Sequence, residues 1–373
     1  MIAAAPPPPP PVPALPAVGF GRGAVGIGPR TTRLAVVVDG RRGRWRRVTP
    51  GPRRVSVRLP SGTHVVRIAV RGPGGARRSA ARRVTALPPS GRRAGRVPGF
   101  VDQRLQHDAE RLVARLPAIG GVYVQHLVTG CGAAVNAGAA FPAASTMKAA
   151  VLVEAARRGH ATVPGALLDR MILPSDDRAA NEVLARLGGG SEERGAAAVT
   201  ATLRRLGLRS SLMRRGYLLD ARRPLPITPD SAPELRTNVI STPYELAQLM
   251  VAVHRGVLGR GGVRRVGIGP AAARREIADR LLRVTDRSKL VAGVPPDVPV
   301  LHKSGFTSQV GHDAGIIYVR SGPVVAVGMA WSGTKVTPSA TSSFLSGLAR
   351  SAHTRLSGGG RCGGLPLRAA PGG

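Results

Sequence analysis

Apolar and polar positions alternate in short runs between residues 21 and 90. Leu34 to Val38 is an apolar run closed by Asp39-Gly40, a turn pair. Val55, Val57 and Leu59 alternate with polar residues, and Pro60-Ser61-Gly62 then turns the chain. In the next run Val66, Ile68 and Val70 share one face, while Arg67 and Arg71 share the other. Gly72 to Gly75 turns the chain again, and Val84 to Leu87 closes the pattern. Short strands joined by Gly/Pro turns predict a small β-sandwich.

The pattern changes after residue 99. Val101 to Leu116 has helical spacing, Val122 to Leu127 reads as a strand, and Ala133 to Ala137 reads as its hairpin partner. Helices are predicted from Ser145 to Arg158, over Ala166 to Ile172, over Asn181 to Leu187 and over Val199 to Leu206. Residues 207–240 read as loop. Ser241-Thr242-Pro243 then starts a helix, a hydroxyl cap followed by proline, with Leu246, Leu249 and Val253 on its apolar face. A further helix covers Arg274 to Val284. Val298 to Leu301 enters a strand that runs into His302-Lys303-Ser304-Gly305. Ala314 to Val319 and Val324 to Trp331 form an antiparallel pair around Ser321-Gly322-Pro323, and Ser339 to Arg355 is the closing helix. The predicted organisation is a Pro-rich, extended or disordered segment over 1–20, a small Arg-rich β domain over 21–90 and a linker over 91–99. The main domain covers 100–356, and a Gly-rich tail over 357–373 is expected to be disordered.

Composition narrows the partners. Hydrophobic residues make up 43% and aromatics only 3%, so the core must be aliphatic. The formal net charge is +35, and Met1 to Val97 holds twenty arginines against one acid, Asp39. This part is expected to take an anionic cell-wall polymer. No paired DNA-reading helices, zinc-finger spacing or aromatic-basic strand motif is visible, so no specific nucleic acid is expected. No apolar run is long enough to cross a membrane as a helix. Met1 to Pro16 lacks the basic start of a secretory signal. Cys131 and Cys362 have no metal-ligand spacing, and the sequence leaves open whether they pair.

The chemistry centres on Phe141-Pro-Ala-Ala-Ser145-Thr-Met-Lys148. A spacing of three puts Ser145 and Lys148 on one helical face, and the opening of a helix offers free N–H groups to a developing oxyanion. Serine needs a base to become a nucleophile, and lysine can be that base when burial or a neighbouring cation lowers its pKa. Only four lysines occur, Lys148, Lys289, Lys303 and Lys335. Every other base is arginine, which cannot give up its proton.

Three motifs stand in order: Ser145-Thr-Met-Lys148, Ser175-Asp-Asp177 and Lys303-Ser-Gly305. With the preceding hairpin, the Thr242-Pro243 helix start and the His312-Asp313-Ala314-Gly315 strand, residues from about 100 to 355 resemble the class A β-lactamase-like serine hydrolases of the penicillin-binding protein superfamily. The resemblance implies an α/β fold, an antiparallel sheet flanked by helices with an all-helical part, and the site between them. The small domain is similar to immunoglobulin-like modules attached to bacterial surface enzymes. By the resemblance, Ser145 attacks an acyl carbonyl, Lys148 assists as base, and Ser175 passes a proton to the leaving nitrogen. Lys303, Ser304 and Thr307 hold the substrate carboxylate, and the N–H groups of Ser145 and Phe306, beside Gly305, form the oxyanion hole. Asp177 stands where the family has asparagine, and a carboxylate there offers only acceptors and favours a protonated Lys148. About thirty residues separate Ser145 from Ser175, fewer than is usual for a β-lactamase, which implies a more open site. Glu234, four residues before Asn238, has the spacing of the deacylating glutamate.

These features imply an acyl-enzyme on Ser145 with a β-lactam or a D-alanyl peptide, and slow β-lactam hydrolysis. The alternatives are a D-Ala-D-Ala peptidase or transpeptidase, and a non-catalytic wall-binding protein with an impaired site. The resemblance implies a monomer, an extracytoplasmic or secreted location, no cofactor and no metal.

Overall fold

The computed structural model describes residues 15, 17–20, 22–49, 51, 53–93, 98–159, 161–217, 238–363 and 365–367. The chain divides into two compact units, Met1–Pro89 and Ser90–Gly373.

The first unit is built from the predicted alternation. Arg33–Val38 pairs antiparallel with Gly62–Gly72, which in turn pairs with Gly75–Arg78 and Arg82–Leu87. A second, two-stranded sheet joins Arg22–Ile27 to Arg53–Arg58. Leu34, Val66, Ile68, Val70 and Val84 of the larger sheet meet Val25, Ile27 and Val57 of the smaller one in a shared core. Asp39 and Gly40 both have positive φ, 48° and 82°, as a tight hairpin turn requires.

The second unit is a six-stranded sheet with helices on both faces. Its strand order is Phe100–Val101, Cys131–Val135, Ile119–His126, Gly322–Trp331, Val310–Val319 and Val300–Phe306. All pairs are antiparallel except the first. Strands Val310–Val319 and Gly322–Trp331 are buried along their whole length. That is why Ala314 to Val319 and Val324 to Trp331 read as apolar runs. Helices Gln103–Ala114 and Pro338–Leu356 cover one face through Leu105, Ala109, Phe344, Leu345 and Leu348. Helix Pro243–Val257 packs on the other, capped by the Thr242 hydroxyl, which accepts from Glu245 N at 3.0 Å. Lys148–Arg158, Gly165–Ile172, Asp177–Leu187 and Glu192–Arg205 form the all-helical part.

Two expectations change here. The described part of the glycine-rich segment, residues 357–363 and 365–367, is tied down rather than disordered, and the rest lies outside the described residues. Cys362 is disulfide-bonded to Cys131, Val101 N–H donates to Leu365 O at 2.9 Å, and Leu367 N–H donates to Gly99 O at 2.8 Å. The short edge strand Phe100–Val101 leaves open backbone groups, and the tail pairs with them. The stretch 207–240 is not all loop, because Leu212–Met213 and Val239–Ser241 pair as strands and Val239–Ser241 also pairs with Phe141–Pro142. Among the described residues, no helix is long and apolar enough to cross a membrane.

Candidate active site

The site lies where the free edge of the sheet meets the turn carrying Ser145. Ser145 does not sit in the first turn of an α-helix as expected. Ala144–Met147 is a 3-10 turn, and the α-helix begins at Lys148. Ala144, just before the serine, has φ of 47°, a strained value for alanine. The turn is held from behind by His312, whose Nε2 lies 2.7 Å from Pro142 O and whose Nδ1 accepts from Ala330 N at 3.0 Å. Burial pushes this imidazole down to about 4, so it stays neutral and donates through Nε2.

Gly305 explains how the edge strand comes so close. A Cβ on residue 305 would sit 2.9 Å from the backbone nitrogens of both Ser145 and Thr146. Any side chain there would fill the space in front of the N–H groups that the sequence assigns to an oxyanion. Phe306 follows, with 68% of its surface exposed at the mouth of the site.

Ser175 is the meeting point of the polar groups. It precedes helix Asp177–Leu187, whose N-terminus is capped by Asp176 accepting from Ala179 N at 3.0 Å. Its own φ is 64°, left-handed, which turns the residue toward the two lysines. Its Oγ accepts from Lys303 Nζ at 2.9 Å and from Lys148 Nζ at 3.2 Å. Two donors occupy its lone pairs, so its own proton is free to be given outward.

The two lysines are both fully buried but differ in company. Lys148 Nζ donates to Asp177 Oδ1 and to Ser175 O, each at 2.5 Å, and lies 4.7 Å from the Tyr217 ring. Burial lowers its pKa, and Asp177 works against that shift. Lys303 Nζ has hydroxyl and carbonyl partners only, donating to Ser175 Oγ and to Ser304 O at 2.8 Å. Burial, then repulsion by Lys148, brings it down to about 7.

Ser304 is not free for a substrate, since its hydroxyl lies on Asp286. Burial would raise the Asp286 pKa, but Lys289, Ser288 and Ser304 hold it well below the usual carboxylate range. Lys289 pairs with Asp286 and stands 5.5 Å from the Phe306 ring. Thr307 Oγ1 accepts from Gln309 N at 3.1 Å. Glu234 lies outside the described residues. Asn238, its partner in spacing, donates to Gly216 O at 3.1 Å and accepts from Arg215 Nε at 2.9 Å.

The sequence reading missed Tyr217. Asn181 clamps it, donating to Tyr217 O at 2.8 Å and accepting Tyr217 N–H at 2.7 Å. The ring then lies beside Lys148, with its hydroxyl 3.4 Å from Ala144 O, and burial raises its pKa well above the usual value. Nothing in the sequence but the scarcity of aromatics marks it. Lys289 had a signal, because it is one of only four lysines and three of these meet here. Among the described residues no cluster of three His, Cys, Asp or Glu could hold a metal.

A model of the beta-lactamase enzyme family matches residues 104–163 and 164–356. No curated protein matches the chain in sequence. Among solved structures, PBP-A is similar at 23% identity and TM-score 0.55, covering 69% of this chain and 97% of that one. A mutant of PBP-A, solved as its acyl-enzyme complex with penicillin G, is similar at 23% identity and TM-score 0.54, covering 69% and 98%. A class A β-lactamase from Mycobacterium abscessus is similar at 19% identity and TM-score 0.54, covering 66% and 97%.

Proposed function

As this chain belongs to the beta-lactamase enzyme family, we propose that it is a serine acyl-transfer enzyme acting on a β-lactam or a related D-alanyl peptide, with Ser145 as nucleophile. The observation that carries this reading is Ser175 Oγ held between Lys148 and Lys303, beside the Ser145 turn. Ser145 Oγ attacks the carbonyl carbon, and neutral Lys148 takes the hydroxyl proton. As the C–N bond breaks, that proton reaches the leaving nitrogen through Ser175, leaving an ester on Ser145. The N–H groups of Ser145 and Phe306 receive the oxyanion in the space that Gly305 leaves open. Water then cleaves the ester, and Ser145 Oγ regains its proton. Lys303 carries the charge that meets the substrate carboxylate, with Thr307 beside it, and Lys289 adds a second cation at the Phe306 end.

Asp177 sets the pace of this scheme. Its carboxylate on Lys148 favours the ammonium, which is no base, while burial favours the neutral amine. Acylation is therefore slow. The penicillin G acyl-enzyme of the PBP-A mutant supports the chemistry for this fold. The Cys131–Cys362 disulfide supports an extracytoplasmic location, since such bonds persist in oxidising compartments.

The test is a pulse-chase with a labelled penicillin, read by intact mass on wild type and Ser145→Ala. Label on wild type alone, lost in the chase, is the expected result for slow hydrolysis. Label that persists would reassign the protein to a penicillin-binding peptidase. No label on wild type, or equal label on Ser145→Ala, would refute the reading.

A further inference from the structure

The first unit carries an arrangement that its fold does not require. Register places Arg33 directly opposite Arg47 on one neighbouring strand and Arg71 on the other. Arg67 is opposite Val37, Arg78 opposite Ala69 and Arg83 opposite Val65. Residues directly opposite in antiparallel strands share a face, and so do every second residues along a strand. All six arginines therefore project from one side of the sheet, the side away from Leu34, Val66, Ile68 and Val70 of the core. All six are exposed. Between them lie Ala35 and Ala69, too short to reach past arginine stems.

Like charges placed directly opposite destabilise a sheet pair. Proteins usually relieve such pairs with an acid, but residues 1–89 contain a single acid, Asp39. That acid is already used, with His64 Nδ1 at 2.7 Å and Val65 N–H donating at 2.8 Å. The arginine charge is thus uncompensated within the unit. The basic surface continues round the sheet edge, where Arg44, Arg46 and Arg58 line a cleft of about 510 Å³.

We propose that this outer sheet face binds a linear polyol-phosphate polymer, contacting its phosphodiesters with Arg33, Arg67 and Arg71 at the centre. Arginine matches phosphate oxygens with its planar fork, which suits a repeating phosphodiester. None of the described residues that these three pairings place on this face is aromatic, so bases of a single-stranded nucleic acid find no stacking row around the arginines. Trp45, in the segment beyond the Arg41–Arg42 strand, is covered by Arg42 at 5.9 Å. The disulfide of the other unit supports an oxidising compartment, where nucleic acid is not the resident polyanion. A membrane surface would need apolar anchors, and among the described residues Val65 is the one large exposed apolar side chain on this face.

The experiment uses the full chain and soluble poly(glycerol phosphate), with dextran as the uncharged chain. Phosphatidylglycerol vesicles and double-stranded DNA are the competing phosphodiester sources. The face variant is Arg33→Gln/Arg67→Gln/Arg71→Gln. The charge-matched control is Arg104→Gln/Arg204→Gln/Arg209→Gln in the other unit. Wild type is expected to bind the polymer, and the face variant to bind it at least tenfold more weakly. The slope of log Kd against log salt should flatten by about two units for three lost phosphate contacts. The control should change Kd less than twofold. The polymer should also raise the wild-type Tm at low salt, where dextran leaves it unchanged, so the answer does not hang on the variant folding. Penicillin acylation should be equal in all three proteins, which separates this proposal from the catalytic one. Absence of polymer binding, equal loss in face variant and control, or tighter binding to vesicles or DNA would overturn it.

Discussion

The two units use positive charge in opposite ways. In Met1–Pro89 every cation apart from histidine is an arginine, on the surface and almost without acids. In Ser90–Gly373 several arginines are paired with acids, such as Arg157 and Arg158 on buried Glu154 and Arg280 on Asp169, and the four lysines appear here. Two of those lysines are fully buried, a position in which an arginine would keep its charge and a lysine need not. Fixed charge outside and titratable charge inside is the physical difference between a surface that attracts anions and a site that moves protons.

The largest effect expected from breaking this division is at Lys148. Replacing it with arginine keeps the charge, and with it the attraction to Asp177, but removes the base. Acylation by penicillin should fall by about a hundredfold to ten-thousandfold, the usual range for a lost general base. Stopped-flow acylation rates measure this, and a fall under threefold would mean that Lys148 acts only as a charge.

Lys303 should show the reverse behaviour, because its task is charge. Its pKa of about 7 means that it loses its proton as pH rises through neutrality. The KM for a carboxylate-bearing substrate should then rise about tenfold per pH unit above that point. Lys303→Arg should keep its charge and abolish this rise. The same shift affects stability. The folded protein binds fewer protons at this site than the unfolded chain between about 7 and the ordinary lysine value of 10.5, so stability at this site rises with pH across that window. A KM that stays flat to pH 9 in the wild type would exclude Lys303 as the titrating anchor.

A smaller effect is expected at Asp177. Asp177→Asn removes the carboxylate that favours the Lys148 ammonium, and it supplies an amide donor to the substrate. Acylation should speed up by about tenfold as the Lys148 pKa falls further. The acylation rate against pH, with its midpoint moved down, would confirm the cause. A slower variant would make Asp177 a positioning group that the reaction needs.

Much of this molecule was legible in the sequence because its signals are local. The three motifs are each a few residues long, and the buried strands announce themselves as apolar runs. The arginines of the first unit showed their period of two before any register was known. What stayed hidden depends on contacts between distant segments. Asn181 and Tyr217 meet across thirty-six positions, and the Cys131–Cys362 bond spans 231. Asp286 gains its meaning only from Ser304 and Lys289 folding onto it. The 3-10 turn at Ser145 was read as an α-helix because both present position i+3 on the same side. The glycine-rich tail read as disordered because its anchors are backbone pairs and one thiol, which leave almost no pattern.

The disulfide also bears on the order of synthesis. Cys362 emerges from the ribosome 231 residues after the cysteine it joins. The strand Phe100–Val101 is sealed by residues made at the far end of the same unit. The edge of the main sheet therefore stays open until nearly the whole unit has been made. A segment that leaves almost no pattern in the sequence is thus the last latch to close on that sheet.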